Sequence, residues 1–249
     1  MYETTRGLIL REVRYKESDR ILTVLTDTDG KRTLKARGAL RKGSKTAAAT
    51  QQLTFSELTV FENRGYATVN EASVLEPFDG LRADFSAFAL GCYIAEVLEA
   101  VSEEGVPDAA VLQLGLNALY ALSRGLCPHA QVKAVFELRL MAVTGFEPEL
   151  SACPVCGETQ PESPWFYLPE GTVFCGRCRA QAPGGVTPLD PDALAAMRHI
   201  VQSDPKRIFS FTLEGAAMEQ LSSVAERYLT TQLDRGFFSL EYWKKVKDI

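Results

Sequence analysis

Four of the six cysteines in this 249-residue chain fall into two C-x-x-C pairs, Cys153/Cys156 and Cys175/Cys178, with 18 residues between the pairs. No other feature of the sequence restricts the fold as tightly. Each pair delivers two thiolates from one tight turn, and two such turns complete a tetrahedron around Zn²⁺. Gly157 and Gly176 ease the turns, so that backbone N–H groups can approach the sulfurs. The intervening WFYLPEGTVF reads as a short hairpin turning at Pro169-Glu170-Gly171. A zinc ribbon at 151–183 is therefore expected, with one Zn²⁺ held by Cys153, Cys156, Cys175 and Cys178. Four protein thiolates leave no open coordination position, so the ion is structural. Redox chemistry is the main rival, but the C-x-x-C pairs lack a thioredoxin-like βαβ setting. A deaminase-type zinc needs H-x-E and P-C-x-x-C. Here His129 is followed by Ala-Gln, His199 by Ile-Val, and Ala152 precedes Cys153. Cys92 and Cys127 stand apart in apolar surroundings and read as small buried hydrophobes.

Upstream of the cysteines the chain changes period once. Residues 6–71 carry β signals: RGLILREVRY, RILTVLTDT, the Asp29-Gly30 turn before KRTLKARG, LTFSELTVFE and YATVNEASV. That makes about five short strands, at the spacing of a small barrel or sandwich. Alternation slips near Ser56-Glu57, which reads as either a bulge or an imperfect alternation. The polar stretch 38–52 reads as a loop containing at most a helical turn. From residue 80 the spacing is helical, with Leu81, Phe85, Phe88, Cys92, Ala95 and Glu99 on one face. Further helices are expected before Gly125, before Gly145 as C-terminal cap, after Asp190-Pro191, and over LEGAAMEQLSSVAERYLTTQLD; SLEYWKKVKDI reads as a short helix or strap.

Charge divides the same way. The net charge of −5 argues against a nucleic-acid binder, but residues 1–80 hold 13 Lys/Arg against 11 Asp/Glu, and residues 81–249 hold 14 against 21. Residues 31–45 contain seven basic residues and no acidic one. A small barrel with basic strands and loops is a recurring single-strand-binding design, in which cations follow the phosphates and aromatic rings stack on bases. The DNA-contact candidates are Arg14, Lys16, Arg20, Lys35, Arg37, Arg41, Lys42 and Lys45, with Tyr15, Phe55, Phe61 and Tyr66 as stacking partners. Phe55, alternating with Leu53, reads as core in preference to platform. Nothing encodes base-specific readout, so contacts should fall mostly on phosphate. Nucleotide-binding glycine motifs, GxSxG and HExxH are missing, and with two histidines an enzymatic role has little support. No apolar run reaches the roughly 18 residues that span a bilayer, and MYETTRGLILREV does not read as a secretory signal. A cytoplasmic protein is expected.

The ordered set of Gly7-Leu8-Ile9-Leu10, Tyr15-Lys16-Glu17-Ser18-Asp19-Arg20, Leu25-Thr26, Gly30-Lys31, Ala36-Arg37-Gly38-Ala39 and the basic loop to Ser44-Lys45 resembles the RecO family of bacterial DNA repair and recombination-mediator proteins. Tyr93-Ile94-Ala95-Glu96, Phe136-Glu137-Leu138-Arg139-Leu140 and Gly145 extend the resemblance over almost the full length. It implies an α+β chain: a five-stranded OB-fold barrel at 1–79, then a mostly α-helical domain at 80–249 with the zinc ribbon inserted. It also implies binding of single- and double-stranded DNA and annealing of complementary strands. RecR would be a partner in loading the RecA recombinase onto DNA coated by single-strand-binding protein. The family's DNA contacts map onto Arg14, Lys35, Arg37, Arg41, Lys42 and Lys45. Its helical domain engages the acidic, apolar-ended C-terminal tail of the single-strand-binding protein, for which Lys133 and Arg139 stand out by charge alone. The expected protein is non-enzymatic and nucleoid-associated. A protein-binding adaptor and an RNA- or transcription-related zinc-ribbon protein remain the rivals; binding to naked oligonucleotide separates the first, and RNA–DNA competition the second.

Overall fold

The computed structural model describes residues 2–63 and 65–247. The chain forms two compact units, residues 1–125 with 237–249, and residues 126–236.

In the first unit, β1 (Tyr2–Tyr15), β2 (Asp19–Thr26), β3 (Gly30–Ala36), β4 (Phe55–Asn63) and β5 (Tyr66–Glu76) close into a barrel of order β1-β2-β3-β5-β4. Every neighbouring pair is antiparallel except β3 and β5, which run parallel through Lys35–Thr68 and Ala36–Val69. This is the OB-fold arrangement. Alternation explains its core: Leu22 and Val24 of β2, Leu34 and Ala36 of β3, Leu58 and Val60 of β4 and Val69 of β5 all point inward around Ile9. β1 is long enough to pair with β4 through its first half and β2 through its second. Its register with β2 jumps between Ile9 and Arg11, a bulge that bends the strand where a small barrel must close. The expected slip in β4 is present as well. Its register with β5 shifts between Phe55 and Ser56. Ser56, Leu58 and Val60 therefore line the interior, and Phe55 is only half-buried. Residues 37–54 are a succession of single turns, such as Ser44 N–H to Arg41 O and Thr50 N–H to Thr46 O.

The helical face expected from residue 81 is divided. α1 (Asp79–Ala83) stops at Asp84, whose carboxylate accepts the Ala87 N–H at 2.8 Å and starts α2 (Phe85–Val101) afresh. Asp108 caps α3 (Ala109–Arg124) in the same way. Arg11 of β1 makes a two-pronged ion pair with Glu99 of α2, and Lys31 Nζ donates to the Glu99 carbonyl at 2.8 Å. Gly30 lets the β2–β3 turn approach the end of α2: a Cβ there would lie 2.5 Å from the Glu103 carbonyl oxygen. Of the stretch SLEYWKKVKDI, the described part forms a helix, α7 (Phe238–Val246), laid on α2, and residues 248–249 lie outside the described residues. Phe237 meets Tyr93 edge-on, and Glu96 accepts the Ser239 N–H at 2.9 Å.

In the second unit, α4 (His129–Val143) packs against α5 (Pro191–Gln202) and α6 (Gly215–Gln232). α4 ends at Val143 with Thr144 as its C-cap, and Gly145, expected in that place, follows one residue later in the left-handed region, with the Phe146 N–H bonded to the Met141 carbonyl at 2.8 Å. Asp190 caps α5, and Pro191 takes its first position. Between α4 and α5 lie β6 (Pro164–Tyr167), β7 (Thr172–Cys175) and β8 (Thr187–Pro188), in the order β7-β6-β8. Among the described residues no helix is long and apolar enough to cross a membrane.

Candidate metal centre and nucleic-acid interface

The hairpin between the cysteine pairs forms where expected. Trp165 pairs with Phe174 and Tyr167 with Thr172, with the turn at 168–171. The fold brings Cys153, Cys156, Cys175 and Cys178 together with all four Sγ atoms within 4.8 Å of one another. Four sulfurs at tetrahedral corners about 2.3 Å from one zinc ion would sit about 3.8 Å apart; Cys156 Sγ and Cys175 Sγ are 3.7 Å apart. The residues present therefore fit a divalent, thiophilic metal. Gly157, at φ 75, lets the first knuckle fold back so that its N–H reaches the Cys153 carbonyl at 2.9 Å. Gly176 serves differently, since its φ is ordinary. A Cβ there would press within 3.3 Å of Ser163.

The thiols titrate as a cluster made for a cation. Burial raises Cys153, but N–H groups of Cys175, Val155 and Cys156 outweigh it and bring the thiol down to about 6. Burial also raises Cys175, and the Cys178 N–H and neighbouring thiols overcome it, so this group too is lowered. Cys178 is pushed up to about 12 by its hydrogen bond to Cys175, then by burial. Four thiolates crowded together repel, and a cation bound among them relieves that repulsion. Cys92 and Cys127 lie outside the cluster, each raised by burial to about 11.

On the barrel, ion pairing sorts the basic residues into two groups. Arg32 is caged by Glu3, Asp29 and Glu62. Lys31 serves α2, as described. Arg20 is buried, paired with Glu12 and donating to the Ala47 carbonyl at 2.9 Å and Thr50 at 3.0 Å, so it organises the 37–54 loop from below. Lys35 pairs with Asp19 at 3.1 Å and lies over the Tyr15 ring at 4.8 Å. The Asp19 carboxyl is held below its usual range, first by the Gly38 N–H at 2.8 Å and then by Lys35. Arg14, Lys16, Arg37, Arg41, Lys42 and Lys45 are exposed, and among the described residues their side chains have no hydrogen-bond or ion-pair partner. Lys16 leans over Tyr15 at 5.5 Å. The four cations from 37 to 45 thus follow one another along a single loop, positioned by Asp19 and Arg20 beneath it.

In the helical unit neither charge singled out from the sequence is available. Lys133 is 1% exposed and pairs with Glu137 at 2.9 Å and Glu226 at 3.0 Å. Arg139 donates to the Ile200 and Val201 carbonyls at the end of α5. Tyr2 is a further exposed aromatic residue of the barrel, not among the stacking candidates above, and its ring lies 4.9 Å from that of Phe61. Tyr2 sits before the first clear hydrophobic run, where alternation alone could have flagged it.

Known families match along nearly the whole chain. The family model "Recombination protein O N terminal" matches residues 1–78, and "Recombination protein O C terminal" matches residues 82–241. A DNA repair protein RecO of Acetivibrio thermocellus is 32% identical, covering 100% of this chain and 98% of its own. One from Heliobacterium modesticaldum is 33% identical, over 98% of this chain and 89% of its own. One from Alkaliphilus metalliredigens is 29% identical, over 97% and 98%. With a closed OB barrel ahead of helices, a four-cysteine cluster between them, and both family models matched in order, the chain belongs to the RecO family.

Proposed function

We propose that this protein is a non-enzymatic DNA-binding recombination mediator in DNA repair. It binds single- and double-stranded DNA on the barrel, anneals complementary strands, and with RecR helps load RecA onto DNA coated by single-strand-binding protein, whose C-terminal tail docks on the helical part. It acts in the cytoplasm on the nucleoid. The cysteine cluster carries one Zn²⁺, which supplies folding free energy to the ribbon and takes no part in a reaction.

The observation that carries the DNA-binding reading is the unpaired set Arg37, Arg41, Lys42 and Lys45, four cations held out on one loop with no acidic partner among the described residues. Membership of a family whose relatives are named DNA repair proteins supports the wider role. Annealing follows physically: a surface that neutralises phosphates lowers the repulsion between two strands brought to it. The test is binding to a labelled single-stranded oligonucleotide across a salt series, paired with a complementary-strand annealing assay. Salt-sensitive binding with faster annealing is expected. Absence of binding at low salt refutes the reading and favours a protein-binding adaptor.

A further inference from the structure

Three exposed aromatic residues of the barrel, Tyr2, Phe61 and Tyr66, gather at one place. Tyr2 begins β1, Phe61 and Asn63 end β4, and Tyr66 and Asn70 lie on β5. With Arg37, just past β3, they line an open cleft of about 620 Å³, within the range of clefts that hold small ligands. The strand register explains the gathering. Tyr2 lies opposite Phe61, Phe61 opposite Thr68, and Thr68 beside Lys35, so one outward row crosses four strands. Tyr66 and Asn70 flank Thr68 at two-residue spacing and share its face.

Tyr2 and Phe61 have an ordinary structural explanation as a cross-strand pair, with rings 4.9 Å apart and tilted by 44°. Tyr66 does not. It is 80% exposed and has no ring or hydrogen-bond partner among the described residues. Arg37 beside it is exposed and unpaired, as are the amides of Asn63 and Asn70. An exposed ring, an aromatic pair lining the same cleft, a free guanidinium and two free amides together suit a planar, hydrogen-bonding, anion-linked ligand.

We propose that this cleft holds an unpaired base of single-stranded DNA. Tyr66 stacks on the base, Tyr2 and Phe61 line the rest of the cleft, and Arg37 holds the adjoining phosphate. The assignment rests on the DNA-binding reading above and deepens it. The loop cations see phosphates, which single strands and duplexes share, whereas the cleft sees base faces, which a duplex keeps stacked inside. The cleft gives the barrel its preference for single strands.

The experiment is anisotropy binding of the full-length protein to a labelled poly-dT strand and to a blunt hairpin duplex at one salt concentration, for wild type, Tyr66→Ala and Tyr66→Trp. Removing an exposed side chain without partners leaves the barrel folded, which the melting curve checks. Tyr66→Ala is expected to weaken single-strand binding about tenfold and leave duplex binding within twofold, and Tyr66→Trp to restore it. A poly-dT strand bearing photoreactive 5-iodouracil should crosslink to the peptide containing Tyr66. Wild-type binding unchanged in Tyr66→Ala, or lost equally on both DNAs, overturns the cleft and leaves the loop reading standing. A wild type that binds neither DNA overturns both.

Discussion

Replacing Arg37, Arg41, Lys42 and Lys45 together by alanine removes the loop's free charge without touching Asp19, Arg20 or Lys35, the residues that hold the loop in place. Each phosphate contact on a single strand contributes about 0.7 to the slope of log K against log salt, so four contribute about 2.8. Over a rise from about 50 to about 200 mM salt, that slope amounts to about 50-fold in affinity. The quadruple variant should therefore bind more weakly and show a slope shallower by about 2.8. Arg6→Ala is the control. Arg6 is equally exposed on the barrel but already pairs with Glu57 at 3.6 Å, so its removal should leave the slope unchanged. Anisotropy titrations at several salt concentrations supply the slopes, and circular dichroism verifies the fold. A folded quadruple variant with a slope within about one unit of wild type would sink the loop as the phosphate-binding element.

Purified protein should hold one zinc per chain by elemental analysis. Chelation should unfold the ribbon while leaving the barrel's circular dichroism intact, whereas a chain that folds normally without metal refutes the structural role. Lys133→Met removes the cation paired with Glu137, which is 0% exposed, and should cost about 3–5 kcal/mol in chemical denaturation; Lys133→Met with Glu137→Leu should regain much of it. Asp19, being lowered in the folded chain, contributes stability that is present above the ordinary carboxylate value of 3.8 and lost as pH falls through its depressed one. The Gly38 amide resonance should follow that titration, and Asp19→Asn should abolish it. Cys92 and Cys127, raised to about 11, should resist a thiol reagent at neutral pH in the native protein.

Elements dominated by local physics were legible from the chain. The cysteine spacing led directly to the four-sulfur cluster, period-2 alternation to the barrel strands, and Asp190-Pro191 and Gly145 to their helix ends. Residues whose role depends on distant partners were not. Arg20 and Lys35 look like Arg37 and Lys42 in sequence, yet Glu12 and Asp19 claim them. Lys133 reads as an exposed helical lysine until α6 brings Glu226 against it. The break at Asp84 was masked by an apolar pattern that continues through it, although aspartate's capping preference is a local signal. The third ribbon strand, Thr187–Pro188, is two residues long and pairs only through tertiary contact with β6; no periodicity of that length can be read.

Ion pairing is also why a chain of net charge −5 can present a locally basic surface. At about 0.1 M salt, exposed charges are screened beyond about 10 Å, so the potential a phosphate meets is set by its immediate neighbours, not by the sum over the chain. Within the barrel the acidic residues are not spread at random. Glu3, Asp29 and Glu62 converge on Arg32, Glu12 on Arg20, Glu57 on Arg6 and Asp19 on Lys35. Each carboxylate placed there neutralises a cation that the fold needs for itself. The loop from Arg37 to Lys45 contains no acid at all, so its charge is not compensated from within. The free charge of this barrel is therefore the remainder after its internal pairs are subtracted, and among the described residues four of its six unpaired cations, Arg37, Arg41, Lys42 and Lys45, fall on that loop.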